Sequence, residues 1–187
     1  MKIIPFHTEE KQIIKKAAKS NRYAQKQLYE KYAPKMLSVC RQYIKDLQYA
    51  EDAMVKGFVK VFKHLKSYRG DGSFEGWIRK IMVRESINHL RKNQFIVYDD
   101  AVFENNNNIG VMPSSELDIA HIQTFIDDLP QGYKTVFMLY VVEGYKHSEI
   151  AQLLNISEST SKSQLFKARK ILKEQLKKQK IIGYGTK

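Results

Sequence analysis

YKHSEIAQLLNISESTSKSQLFKARK, running from Tyr145 to Lys170, holds two helical patterns separated by a tight turn. Ile150, Ala151 and Leu154 sit at helical spacing and give a short first helix one buried face. Ile156 falls in the turn. Ser157 is placed to cap the next helix with its hydroxyl, and Glu158 at the first helical position suits the positive dipole end. In that second helix Ser161, Leu165, Ala168 and Leu172 form one stripe. The opposite face carries Ser159, Lys162, Ser163, Phe166, Lys167 and Lys170, with Gln164 at its edge. Hydroxyls and an amide among lysines suit base edges beside phosphates. A solvated face on an ordinary helical hairpin would also carry the lysines. Turn, cap and basic face together instead predict a helix-turn-helix whose second helix enters the major groove.

Outward from this segment, the composition sets the frame. The chain has 187 residues, room for one ordinary domain or two small ones. Four prolines, nine glycines and long 3.6-residue periodicity predict a nearly all-helical protein. No apolar run approaches the ~18 residues of a membrane span, so a cytoplasmic protein without direct membrane insertion is expected. Cys40, the single cysteine, lies at an apolar helical position and is expected in the core. The net charge of +12 is unevenly spread. Residues 1–94 hold 21 basic against 9 acidic side chains, residues 95–130 hold 7 acids and no Lys or Arg, and residues 131–187 hold 11 against 4. Two basic bodies on an acidic tether fit a protein that grips nucleic acid at two places.

The first body spans residues 9–94. A helix from about Thr8 to Lys19 breaks at Ser20-Asn21, and a second starts near Arg22, with Pro34 as a kink or break. Ala50, Ala53, Met54, Gly57, Phe58, Val61, Phe62 and Leu65 make an amphipathic stripe over four turns. Gly57 inside it costs ~1 kcal/mol against alanine unless close packing needs it. A glycine-bearing loop, residues 67–73, leads into a helix from Phe74 to Arg91 with its stripe at Phe74, Trp77, Ile78, Ile81, Met82 and Leu90. Residues 95–115, with Asn105 to Asn108, Gly110 and Pro113, read as a linker. The second body spans residues 116–178. Its first helix stops at Pro130 and another runs to about Val142.

Four segments, in order, resemble the RNA polymerase sigma factors of the extracytoplasmic-function (ECF) group. LYEKYA (residues 28–33) resembles the opening of the family's second region, and AEDAMVKGFVKVF (50–62) its polymerase-binding helix. SFEGWIRKIMVR (73–84) with LRK (90–92) resembles its promoter-melting helix, and residues 129–169 its fourth region. The likeness covers residues 10 to 178 or so. Two departures stand out. Val55 and Lys56 replace a polar-acidic pair in the binding helix, and Ser161 and Gln164 replace valine and arginine in the recognition helix. A buried Ser161 hydroxyl is expected to bond the carbonyl one turn back. Gln164 offers an amide suited to adenine.

The resemblance implies a two-domain, all-α promoter-specificity subunit. Residues 9–94 would bind core polymerase through Glu51, Asp52, Val55 and Lys56, and read and melt the −10 element through Tyr68, Arg69, Ser73, Arg84, Asn88, Arg91 and Lys92. The loop 67–73 would hold a captured base, with Phe74 and Trp77 packed in the core. Residues 116–178 would read the −35 element through Ser159, Lys162, Ser163, Gln164, Phe166, Lys167 and Lys170. Expected partners are core RNA polymerase, promoter DNA and an anti-sigma factor, with a monomer in their absence. Asp99, Asp100 and Glu104 in the tether would mimic nucleic acid in a basic polymerase channel. The histidines at 7, 64, 89, 121 and 147 lack metal-ligand spacing, and adjacent acid pairs diverge on a helix. No catalytic residue, metal site or cofactor is implied. The rival reading is a homodimeric helix-turn-helix regulator, which requires palindromic half-sites and no affinity for core polymerase.

Overall fold

The computed structural model describes residues 6–92 and 119–184, and the side chains of residues 9–92 and 122–177. The linker 95–115, with Asp99, Asp100 and Glu104, lies outside the described residues. The chain divides between Asn93 and Gln94 into two compact units, and among the described residues there is no strand.

The first unit contains α1 (Phe6–Ala18), α2 (Arg22–Tyr43), α3 (Leu47–His64), a 3₁₀ turn (Leu65–Ser67) and α4 (Phe74–Lys92). Local chemistry sets each boundary. Ser20 turns the chain at φ +62°, and Asn21 caps α2 by accepting from the Ala24 N–H at 2.9 Å. Asp46 caps α3 by accepting from the Tyr49 N–H at 3.0 Å, and Ser73 caps α4 by accepting from the Gly76 N–H at 3.0 Å. Pro34 does not end α2, which runs through it. It sits on the exposed side, where water can take the carbonyl it leaves without a donor, while Tyr32, Met36, Val39 and Cys40 anchor the other side.

Helices α2, α3 and α4 pack on one another, and α1 covers α2. The expected α3 stripe is buried from Ala50 to Leu65, except for the half-buried Phe62. On α4 the buried arc is wider than the sequence pattern, adding Val83, Ser86 and Ile87, because α2 and α3 cover two sides of it. Trp77 and Ile81 are only half-buried. Cys40 is fully buried, and desolvation pushes its thiol up to about 11. Gly57 sits in a close contact as its place in the stripe suggested, though its neighbour is Met82 of α4 rather than Phe58. A Cβ at residue 57 would stand 2.3 Å from the Met82 sulfur.

The second unit contains α5 (Ile119–Asp127), α6 (Gln131–Phe137), a π turn (Met138–Val142), α7 (His147–Leu154) and α8 (Glu158–Tyr184). Pro130 separates α5 from α6 with its fixed φ of −52°. Leu129, Tyr133 and Ala168 form a buried cluster, with Phe137, Ile171 and Leu172 against it. Lys134 is 2% exposed, and its ammonium pairs with Asp127 Oδ1 at 2.7 Å, tying α6 to the end of α5. Ile122 and Val141, though apolar, are exposed.

Gly57→Ala is expected to lower stability. Overpacking costs ~1–3 kcal/mol against a helix-propensity gain of ~1 kcal/mol, and Met82 has no exposed space to move into. A urea melt of the two proteins checks this. An unchanged or raised midpoint means that the α3–α4 contact is not tight.

Candidate nucleic-acid interfaces

In the second unit the helix-turn-helix is built by short-range bonds and one left-handed residue, of which the sequence foreshadowed the Ser157 cap. The Glu149 carboxylate accepts from the Lys146 N–H at 2.8 Å, opening α7. Asn155 closes α7 in the left-handed conformation, φ +57° and ψ +49°. Ser157 then caps α8 by accepting from the Thr160 N–H at 3.0 Å. Ser161, Leu165 and Ala168 face inward as expected, with Leu172 half-buried.

The outward face of α8 presents Ser159, Lys162, Ser163, Phe166 and Lys170 exposed and Lys167 half-buried. Ser163 donates its hydroxyl to the Thr160 carbonyl at 3.0 Å, which leaves its oxygen lone pairs toward solvent. Phe166, 70% exposed, is the large apolar group on this face.

Two expectations are corrected here. Gln164 is 1% exposed and cannot offer its amide to adenine in this conformation. It stands one helical turn from both Ser161 and Ala168, so the buried arc is broader than the four-residue stripe and takes Gln164 in. Ser161 does not bond a carbonyl in its own helix. Its Oγ lies 2.9 Å from Nδ1 of His147, at the start of α7. His147 stacks on Tyr140, centroids 4.6 Å apart, and the Arg169 guanidinium lies 5.7 Å from the same ring. This four-residue cluster was missed. Its members come from three elements, and no spacing in the sequence links them.

In the first unit the loop after α3 is tied by the Tyr68 hydroxyl, which donates to the Gly72 carbonyl at 2.9 Å. Gly70 and Gly72, at φ +85° and +93°, take backbone conformations that other residues resist. Tyr68, Phe74 and Trp77 form an aromatic platform. The Tyr68 ring stands 5.1 Å from Phe74 and 5.5 Å from Trp77, and Phe74 stacks on Trp77 at 5.8 Å. Phe74 is buried as expected, whereas the half-buried Trp77 and Tyr68 keep ring surface open beside exposed Arg69 and Ser73. Along α4, Arg84, Arg91 and Lys92 are exposed and Asn88 is half-buried, its amide donating to Glu85 at 3.3 Å.

Glu51, Asp52, Val55 and Lys56 all lie on the exposed side of α3, next to Val59 at 62% exposure. Asp52 and Lys56 form an exposed i,i+4 ion pair, a type that contributes little and that a partner can displace. His89, ring to ring 5.0 Å from Tyr49, borders this face. Burial and then Lys56 hold its pKa below the usual histidine value, against Asp52 and Asp46.

Two helical units, one with a capped helix-turn-helix and a basic outer face and one with an aromatic loop beside exposed arginines, define a bipartite DNA-binding protein. Residues 28–96 match Sigma-70 region 2, and residues 120–172 match Sigma-70, region 4. The chain is 25% identical over 182 residues to the RNA polymerase sigma-H factor of Pseudomonas aeruginosa, covering 90% of this chain and 94% of that one. It is 26% identical over 150 residues to the ECF RNA polymerase sigma factor SigM of Bacillus subtilis, covering 79% and 91%. It also aligns, at 21% identity and a TM-score of 0.49, with the sigma factor RpoE in a complex with the anti-sigma factor NepR from Bartonella quintana, covering 81% of this chain and 96% of that one. The chain belongs to the sigma-70 family, in its ECF group. It is a promoter-recognising sigma subunit and not an enzyme.

Burial and then Lys162 depress the His147 pKa, with Arg169 adding to this and Glu158 opposing it. The folded state therefore prefers neutral imidazole. Its contribution is intact above the unfolded value of about 6.5 and is lost as pH falls through the lower folded value. An NMR titration of the His147 ring is expected to give a midpoint below 6.5, and His147→Gln to soften the acid destabilisation. A midpoint at or above the unfolded value contradicts this account of the cluster.

Proposed function

We propose that the two units divide the work of promoter recognition. Residues 9–94 dock on core polymerase through the outer face of α3, with Glu51, Asp52, Val55 and Lys56, and capture an unstacked −10 base on the loop of Tyr68, Arg69 and Ser73. Arg84, Asn88, Arg91 and Lys92 follow the adjoining backbone. Residues 116–178 place α8 in the −35 major groove, where Ser159, Ser163 and Phe166 meet base edges and Lys162, Lys167 and Lys170 meet phosphates. The observation that carries this assignment is the α8 face, basic and hydroxyl-bearing outward while its other side is packed into the unit. Gln164 has no part in base readout in this scheme.

The replacement of a polar-acidic pair by Val55 and Lys56 makes the α3 surface more apolar. Val55 and Val59, one turn apart and both largely exposed, would exclude water around the Asp52 contact. Residues 95–115 serve as the tether, and Asp99, Asp100 and Glu104 occupy a basic channel of the polymerase. The protein works in the cytoplasm as a monomer when unbound. No helix among the described residues is long and apolar enough to cross a membrane. An anti-sigma factor holds it inactive, covering the surfaces that polymerase and promoter need.

Fluorescence anisotropy with sigma-free core RNA polymerase tests the first half. One-to-one saturable binding is expected, weakened at least tenfold or so by Asp52→Lys if this residue is at the centre of the contact. Absence of binding by folded, partner-free protein, or full binding by Asp52→Lys, overturns the assignment of this face of α3 as the docking surface. For the second half, holoenzyme on promoter DNA with Lys162→Ala is expected to bind more weakly across sequences, its salt slope reduced by about 1. Gln164→Ala is expected to leave base preference unchanged and to lower the melting temperature. A changed preference at a single −35 position would restore Gln164 to the interface.

A further inference from the structure

Glu10 lies on α1, before the first residue of the region 2 match. Helix α1 packs on α2 and against the 3₁₀ turn that feeds the aromatic loop. The Glu10 carboxylate receives two donors from α2 on the same oxygen. Lys31 Nζ donates to Oε1 at 2.6 Å, and the Tyr32 hydroxyl donates to it in a short contact. The Tyr32 end of the arrangement is shielded, with Tyr32 5% exposed and the Glu10 side chain 21% exposed, while the Lys31 side chain is half exposed. Burial, and then the carboxylate itself, push the Tyr32 phenol far above its usual range, so it stays a donor.

From Tyr32 the contacts continue into the platform. Its ring meets Phe74 edge-on, at 5.6 Å and 71°. Phe74, 3% exposed, is the floor on which both Tyr68 and Trp77 rest. The loop above this floor has two glycines at positive φ and the Tyr68–Gly72 bond as its internal tie. A stacking surface adds affinity only to the extent that its rings are already ordered when the base arrives. Lys35 and Glu75, paired at 3.0 Å, flank Tyr32 without bonding its hydroxyl.

We propose that Glu10 is a positioning residue for the nucleobase platform: by holding the Tyr32 hydroxyl it seats Phe74, and through Phe74 it orders Tyr68 and Trp77. This rests on the assignment of the loop to base capture and extends the site to a helix outside the loop itself.

Trp77 is the only tryptophan of the chain, so its emission reports the platform without a label. The test uses the full chain and its Glu10→Ala, Glu10→Gln and Tyr32→Phe variants. Emission and acrylamide quenching are read first without DNA, and then quenching by a short random-sequence single-stranded DNA. Glu10→Ala and Tyr32→Phe are expected to red-shift Trp77 and to raise the apparent Kd about tenfold, the loss of one charge-assisted bond. Glu10→Gln keeps an acceptor for Tyr32 and is expected to stay within about twofold of wild type. Melting curves separate this from global destabilisation. Wild-type emission in Glu10→Ala overturns the proposal, as does equal damage in the Gln and Ala variants. A wild-type protein with no saturable quenching sinks the base-capture assignment instead, and the DNA-free emission still decides whether Glu10 orders the platform.

Discussion

The first unit is organised around one close approach. Gly57 has no side chain, and the Met82 thioether fills the space where one would be, so a side chain of α4 seats directly on the backbone of α3. Much follows from that contact. Helix α3 turns Asp52, Val55 and Lys56 outward because its other face is pressed against α4 and α2. Helix α4 in turn starts at the platform, with Phe74 buried and Trp77 half open, and ends in exposed Arg91 and Lys92. The exposed outer face of α3 and the aromatic loop before α4 are thus opposite consequences of the same packed pair.

The second unit reaches a similar result by different means. Here the small residues Ser161 and Ala168, both 0% exposed, let α8 lie close to its neighbours. The polar cost of burying Ser161 is offset across helices by His147 rather than within α8. The start of α7 and the early part of α8 are joined by a hydrogen bond whose donor depends on which imidazole nitrogen carries the proton.

Most of the architecture was legible in the chain. Helix starts are written in short-range chemistry, and Asn21, Asp46, Ser73 and Ser157 each cap the helix that follows. The stripes on α3 and α8 announced the buried faces, because each of those helices turns a continuous side to the core. The pattern failed where burial was not one-sided. Helix α4 is covered by two neighbours, so Val83, Ser86 and Ile87 are interior although they fall off the simple stripe. Gln164 was misjudged for the same reason, since an arc wider than four residues was enough to enclose it. At Pro34, where a kink or a break was open, the break is excluded: α2 runs through it, anchored by packing on its far side.

What the sequence determined by itself is what depends on near neighbours: helical class, caps and turns, the division into two basic bodies, and the polar outer face of the recognition helix. Periodicity and capping act within a few residues, so they can be read from order alone. Only the tertiary structure decided which buried polar groups find which partners. The pairs His147–Ser161, Lys134–Asp127 and Glu10–Tyr32 join different helices. A hydrogen bond requires donor and acceptor within about 3 Å, and that distance is set by how whole helices dock, a quantity no local spacing records.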